Sequence, residues 1–172
     1  MAFGYNGKIL HVDLSSSNIS IEEPSDLFYR RYFGGRAFLA YYLLKMLPKG
    51  TDPLGPENVL VFATSAIGGA PSHGLCRFSV GAKSPVTGGF GESEAGGYWG
   101  PELKFAGYDG IVITGKASKP SYLWIKDGEV EIRDASAMWG ETTGDAQDLI
   151  RGDIGEARAN VALIGPAGEN LI

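Results

Sequence analysis

Lys8-Ile9-Leu10-His11-Val12-Asp13-Leu14 alternates apolar and polar residues with a period near two, the pattern of a half-buried strand. Ser15-Ser16-Ser17-Asn18 turns the chain, and Ile19-Ser20-Ile21-Glu22 alternates again as the hairpin partner. Ser25 or Asp26 then offers an oxygen to orphan N–H groups, so a helix is expected to run through Tyr32. Gly34-Gly35 interrupts it. From Arg36 to Met46 the apolar positions Phe38, Leu39, Tyr42, Leu43 and Met46 recur at helical spacing, and Pro48 and Gly50 end the element. After a loop over Pro53–Asn58, the continuous apolar run Val59-Leu60-Val61-Phe62-Ala63 predicts a buried strand.

Further along, Arg77-Phe78-Ser79-Val80-Gly81-Ala82 predicts a strand, Ser84–Gly89 a loop, Pro101–Ala106 a short helix and Gly110–Gly115 another strand. Tyr122–Ile125 and Glu129–Arg133 flank Lys126-Asp127-Gly128, and Asp-Gly is a hairpin turn. Thr142 or Thr143 starts a helix to about Arg151, and Ala159–Ile164 reads as the last strand. Strands interspersed with helices and hairpins give an α+β class. Val59–Gly74 and Asn160–Gly168 are faintly alike, each an apolar run followed by small residues, which admits an internal duplication.

Glycine changes the picture. The chain has 26 glycines in 172 residues, roughly twice the usual share of about 7%. Ten of them fall between Gly68 and Gly100, with Arg77 set among them. Glycine lets backbone N–H groups approach a ligand closely. The run ends in Gly100-Pro101-Glu102, read as a helix start with Pro at the first helical position. Glycine loops, a helix start and an arginine together suit an anionic or phosphorylated ligand. Neither GxxxxGK[ST] nor a GxGxxG leading from strand to helix is present, so a nucleotide-binding domain is weakly supported.

Several side chains have a plain reading beside a functional one. Cys76 reads as a buried small residue and His73 as a solvated loop histidine. Lys83 and Lys104 are either phosphate partners or surface lysines. Glu102 is explained by its place in a first helical turn. Trp99, Trp124 and Trp139 read as core. Asp109 has no reading beyond a turn.

Bulk numbers narrow the field. The length suits one domain with a real core. Net charge is −5, and no dense Lys/Arg cluster occurs, which argues against nucleic acid. A single cysteine forms no internal disulfide and suits a reducing compartment. With only His11 and His73 beside it, it cannot build a zinc or iron–sulfur site within this chain. No run is long and apolar enough for a membrane span, and the first residues lack the layout of a signal peptide. A cytoplasmic protein is expected.

The order of short motifs is more specific than any one of them. Gly7-Lys8-Ile9-Leu10 with Val12-Asp13-Leu14, Gly34-Gly35-Arg36, Gly55-Pro56-Glu57-Asn58 and Lys83-Ser84-Pro85-Val86-Thr87-Gly88 are followed by three more: Ala95-Gly96-Gly97-Tyr98, Glu102-Leu103-Lys104-Phe105-Ala106-Gly107-Tyr108-Asp109 and Ile164-Gly165-Pro166-Ala167-Gly168-Glu169-Asn170-Leu171. In this order and spacing, across the whole chain, they resemble the N-terminal domain of the tungsten-containing aldehyde ferredoxin oxidoreductases.

The resemblance implies a fold of two similar, mostly-β halves with a few helices, related by a pseudo-two-fold axis, over residues 1–172. It implies a tungsten, or molybdenum, bis-molybdopterin cofactor with a magnesium ion joining the two pterin phosphates. By matched position, Arg77 contacts the pterin and Gly96 and Gly97 give close backbone approach. Glu94 stands where the family has Asn, whose backbone carbonyl binds the magnesium. Family members oxidise aldehydes to carboxylic acids and pass electrons to ferredoxin or an electron-transfer subunit. Their 4Fe-4S cluster, catalytic acid and base, and aldehyde tunnel lie in further domains. So no catalytic residue is expected in this chain, which is expected to need the remaining domains or a partner subunit and allows a homodimer. The alternative is a non-catalytic scaffold or assembly module that keeps the fold without the cofactor.

Overall fold

The alternation over residues 9–13 becomes strand β1 (Ile9–Asp13), and β2 (Asn18–Glu22) returns antiparallel beside it. The computed structural model describes residues 4–171. They divide into two units, residues 4–117 with Ile125–Val130, and Ser118–Trp124 with residues 131–171.

In the first unit, helix α1 (Asp26–Tyr32) is followed by α2 (Arg36–Met46). Between them, Phe33 and Gly34 both take positive φ, and Gly35 donates its N–H to the Thr64 carbonyl at 2.9 Å. A Cβ at Gly34 would lie 2.2 Å from that same Thr64 oxygen, so only glycine fits here. Ser25 is the α1 N-cap residue, but its side chain makes no capping bond. Asp26 instead accepts from the Tyr5 hydroxyl at 2.8 Å.

Strands β3 (Leu60–Thr64), β4 (Phe78–Lys83), β5 (Phe90–Ala95) and β6 (Gly110–Thr114) complete a six-stranded sheet in the order β2-β1-β6-β3-β4-β5. Only β1 and β6 run parallel; the other pairings are antiparallel. One face carries Ile9, Val112, Val61 and Ala63, with Val112 directly opposite Val61, and α2 covers it with Phe38, Leu39, Tyr42 and Leu43. Burying side chains of this size stabilises by roughly 1.5–3 kcal/mol each. Tyr29 and Phe28 extend this core into an aromatic cluster in which Tyr5 stacks on Tyr29 at 3.9 Å. On the opposite face, Trp99 packs on Phe62 and Phe78. That tryptophan opens helix α3 (Trp99–Phe105).

Two expectations need correction here. Helix α3 starts at Trp99, so Pro101 is its third residue rather than its first. This costs nothing, because the first N–H groups of a helix lack intrahelical acceptors in any case. The run Val59–Ala63 is also less buried than a continuous apolar stretch suggests: Leu60 is 37% exposed and Phe62 half-buried, because the sheet alternates its faces.

Strands β7 (Ser121–Lys126) and β8 (Glu129–Asp134) form a two-stranded hairpin. Asp127 and Gly128 both have positive φ, as the Asp-Gly signal predicts. In the second unit, α4 (Thr143–Ile154) begins after Thr142, whose hydroxyl accepts the Asp145 N–H at 3.3 Å. Ala146 and Ile150 of α4 pack with Met138. The α+β class, mostly β with few helices, therefore holds, and the two sheets are unequal.

No strand forms over Ala159–Ile164; the segment has no ladder partner among the described residues, and Leu163 and Ile164 are exposed. An apolar run supplies the composition of a strand, but the strand itself exists only through cross-strand hydrogen bonds. The short helix α5 (Gly165–Glu169) follows at once. Trp139, expected in the core, is 50% exposed.

Candidate cofactor site

The residues singled out by sequence converge on one end of the β4–β5 ladder. Phe78 pairs with Ala95 and Ser79 with Glu94. Arg77 therefore enters β4 exactly where β5 ends, and its Nη1 lies 3.5 Å from Glu94 Oε2. Both side chains are open to solvent, 67% and 43% exposed. Gly96 and Gly97 follow directly and are exposed. Gly97 has φ +89, and an added Cβ would meet nothing within 4 Å. The structure thus brings Arg77, Glu94, Gly96 and Gly97 to a single open edge.

Cys76 braces this edge from beneath. A Cβ on Gly96 would touch its Sγ at 3.7 Å, and one on Gly100 would crowd its carbonyl at 3.1 Å. The thiol is half-buried, close to the reading given from sequence. His73 is exposed at the tip of a loop that Gly69 N–H and the Leu75 carbonyl close at 2.8 Å.

Strand β5 itself is missing from the sequence reading. Its two carboxylates, Glu92 and Glu94, are two residues apart and so share a face. Glu92 accepts from Arg36 Nε at 2.5 Å and is only 11% exposed. Arg36 is the first residue of α2, whose N-cap is Gly35 and which carries no acidic residue of its own in its first turn. The second Glu92 oxygen, Oε1, is buried without a hydrogen-bond partner.

The lysines resolve differently from either alternative. Lys104 is buried, and its Nζ donates to the carbonyls of Gly4 at 2.7 Å and Ser65 at 3.3 Å and to Asp109 Oδ1 at 3.0 Å. It is neither a surface lysine nor free for a phosphate. Lys83 is half-buried and donates to the Thr51 carbonyl at 2.5 Å. Asp109 is a buried hub: it also accepts from the N–H groups of Asn6 and Gly7 and from the Tyr29 hydroxyl. Burial, together with the Asp109 charge and hydrogen bond, pushes the Tyr29 hydroxyl well above its ordinary pKa.

A second polar cluster lies on the α2 side of β1 and β2. Glu22 Oε2 meets His11 Nε2 at 2.7 Å and accepts from the Tyr42 hydroxyl at 2.9 Å. Burial raises the Glu22 pKa, but the bonds from Tyr42 and His11 and the Lys45 charge outweigh it, leaving the carboxyl below its usual range. Burial and the Glu22 bond push Tyr42 strongly upward. No cluster of three or more metal-ligating side chains occurs among the described residues, and no helix among them is long and apolar enough to cross a membrane.

Residues 9–172 match the family model for the N-terminal domain of aldehyde ferredoxin oxidoreductase. The chain belongs to this family. The tungsten-containing aldehyde ferredoxin oxidoreductase of Pyrococcus furiosus is 44% identical over 172 residues, covering 99% of this chain and 28% of that protein. The aliphatic sulfonate oxidoreductase, WOR-like subunit, of the same organism is 41% identical over 141 residues, 80% of this chain and 22% of its own length. Among solved structures, the active-site complex BamBC of benzoyl coenzyme A reductase, in complex with 1,5-dienoyl-CoA, superposes with a TM-score of 0.95 at 39% identity. It covers 99% of this chain and 26% of the matched one. The chain thus spans 28% of the first of these relatives, 22% of the second and 26% of the matched solved chain, and it corresponds to the N-terminal domain of the family.

Proposed function

We propose that this chain is the cofactor-holding domain of a tungsten- or molybdenum-dependent oxidoreductase that converts an aldehyde to a carboxylic acid. The observation that carries the reading is the open edge where the exposed Arg77 and Glu94 meet and the exposed Gly96-Gly97 turn follows. The donor set fits a phosphate-bearing pterin. Arg77 offers a solvent-exposed guanidinium to an anionic arm, and Gly97 leaves its backbone unscreened for close approach. Glu94, at the same edge, offers its backbone carbonyl oxygen to a magnesium ion beside the phosphates. When bound, the metal–pterin group supplies the two-electron redox chemistry. The residues of this chain bind and orient it, and Arg77 offsets its negative charge. Substrate selection, the iron–sulfur cluster and the contact with ferredoxin, or another electron-transfer subunit, belong to the further domains or a partner chain. The cytoplasm suits such a protein.

Substitution of Arg77 tests the reading. The protein, purified together with any chain that continues or accompanies it, is expected to hold near one tungsten or molybdenum per chain, and Arg77→Ala to lower that content. Unchanged metal content in the variant would remove Arg77 from the site. The scaffold alternative draws support from one observation, the carboxylate of Glu94 occupying Arg77. It predicts no bound tungsten or molybdenum, even from cells whose other pterin enzymes are loaded.

A further inference from the structure

We propose that Phe33, Ile67 and Phe105 form a docking surface on which the rest of the oxidoreductase sits, through an apolar patch of its own flanked by carboxylates that meet Arg30 and Arg31. The inference rests on the reading of this chain as one domain of a larger enzyme.

The three side chains come from three different segments and are 68%, 57% and 67% exposed. Backbone contacts bring their supports together. The Ala66 N–H donates to the Phe33 carbonyl at 3.0 Å, which places Ile67 one residue from that bond. A Cβ at Gly69 would lie 3.4 Å from the Phe105 ring, so the turn after β3 reaches from Phe33 to Phe105. Lys104, buried and next to Phe105 in sequence, ties the end of α3 to the Ser65 carbonyl at 3.3 Å. The supports are fixed, while the side chains they carry lie open.

Phe33 argues most strongly for a cover. It ends α1 in the left-handed region, at φ 59 and ψ −14. That conformation suits glycine or asparagine and costs a bulky side chain energy. Either would serve the helix end better than phenylalanine. A strained, exposed aromatic residue has no compensation within the described residues, and a partner that buries the ring supplies it. Aromatic residues are enriched where proteins meet.

Length and charge identify the occupant. The chain spans 28% of the Pyrococcus furiosus aldehyde oxidoreductase and 26% of the matched solved chain, so most of each relative lies outside the matched region. Parts of one enzyme outside a domain share a face with it. The last turn of α1, just before Phe33, carries Arg30 and Arg31, both exposed. An apolar centre with basic residues beside it fits a surface with an apolar centre and Asp or Glu beside it. A second copy packed patch to patch would instead bring its own arginines to the contact, like charges together.

The test uses the protein purified with any chain that continues or accompanies it, carrying the photo-reactive residue p-benzoylphenylalanine in place of Ile67. The link formed on irradiation is mapped by mass spectrometry. It is expected to reach a peptide outside residues 1–172 that contains Asp or Glu. A link into a second copy of residues 1–172, or no link from protein that holds tungsten or molybdenum, would overturn the docking surface and leave the cofactor reading intact. Protein with neither metal nor further chain would overturn both. Hydrogen exchange of the Ser65–Gly69 peptide then reads how firmly the surface is covered. Phe33→Gly is expected to speed that exchange about tenfold in the whole protein, although glycine suits the left-handed backbone better than phenylalanine. Exchange that stays unchanged or slows would show that the Phe33 ring serves no contact, and would overturn its place in the surface.

Discussion

One ion pair lies within the glycine-rich segment and another just after it, and they are built in opposite ways. Lys104–Asp109 is 8% and 3% exposed, and every donor and acceptor around it is satisfied. It ties residues near Gly4–Lys8, the turn at Ser65 and the end of α3 into one arrangement. Arg77–Glu94 is exposed, long and met by a single contact. The first pair fixes the frame from which the loop at 65–76 departs and to which the turn at Gly96-Gly97 returns. The second, carried on that frame, is left exchangeable. The exposed pair is held loosely by its own chain, while the buried pair is held tightly.

The largest effect tests the tight pair. Removing one partner leaves a buried charge without its counter-ion, which costs about 3–5 kcal/mol. Asp109→Ala and Lys104→Met are each expected to lower the unfolding free energy by that amount in urea titrations. The double variant should recover part of the loss, because no lone charge is left behind. Additive losses would show that the pair is not coupled. Gly34→Ala comes next. It places a β-carbon 2.2 Å from the Thr64 carbonyl at a backbone φ of +105, and unfavourable backbone of this kind alone costs of order 1–3 kcal/mol. A variant that melts like the unchanged protein would mean that the α1–α2 turn is not the rigid support it looks to be.

How much of this is legible in the sequence depends on the range of the cause. The bounds of α2, Arg36–Met46, follow from local periodicity and are met residue for residue. The Asp127-Gly128 turn is equally local. Strand β5 escapes notice because Phe90-Gly91-Glu92-Ser93-Glu94-Ala95 has little apolar alternation; its place at the sheet edge leaves it mostly solvated, so burial writes no period into it. Ala159–Ile164 shows the reverse, an apolar run with no strand to pair with among the described residues. The convergence of Arg77, Glu94, Gly96 and Gly97 is accessible through the order of motifs. Asp109 is not, because its partners Asn6 and Gly7 lie about a hundred residues away and contribute backbone N–H groups, which carry no residue-type signal. The same holds for Lys104, whose acceptors are two carbonyls besides that carboxylate.

A smaller effect concerns acid stability. Glu22 has a folded-state pKa held below its ordinary value near 4.5. Its ionised form is thus favoured by folding, and that contribution is present above the unfolded pKa and lost as pH falls through the folded one. Glu22→Gln should remove this acid-limb loss and leave a shallower decline of melting temperature below about pH 4.5. Because the group is about a third exposed, the effect is at most about 1 kcal/mol. A limb of unchanged steepness would assign acid sensitivity to other carboxylates.

The smallest expected effect decides the contrast between the two ion pairs. If Arg77–Glu94 is exchangeable, Arg77→Ala should alter the unfolding free energy of the cofactor-free protein by no more than about 0.5 kcal/mol, as surface substitutions do. The same variant should lose bound tungsten or molybdenum. Near-zero stability change with lost metal is the signature of a side chain kept for a ligand rather than for the fold. A loss approaching that of Lys104→Met would mean that Arg77 is a structural member of the β4–β5 edge. The open pair would then differ from the buried one only in its exposure.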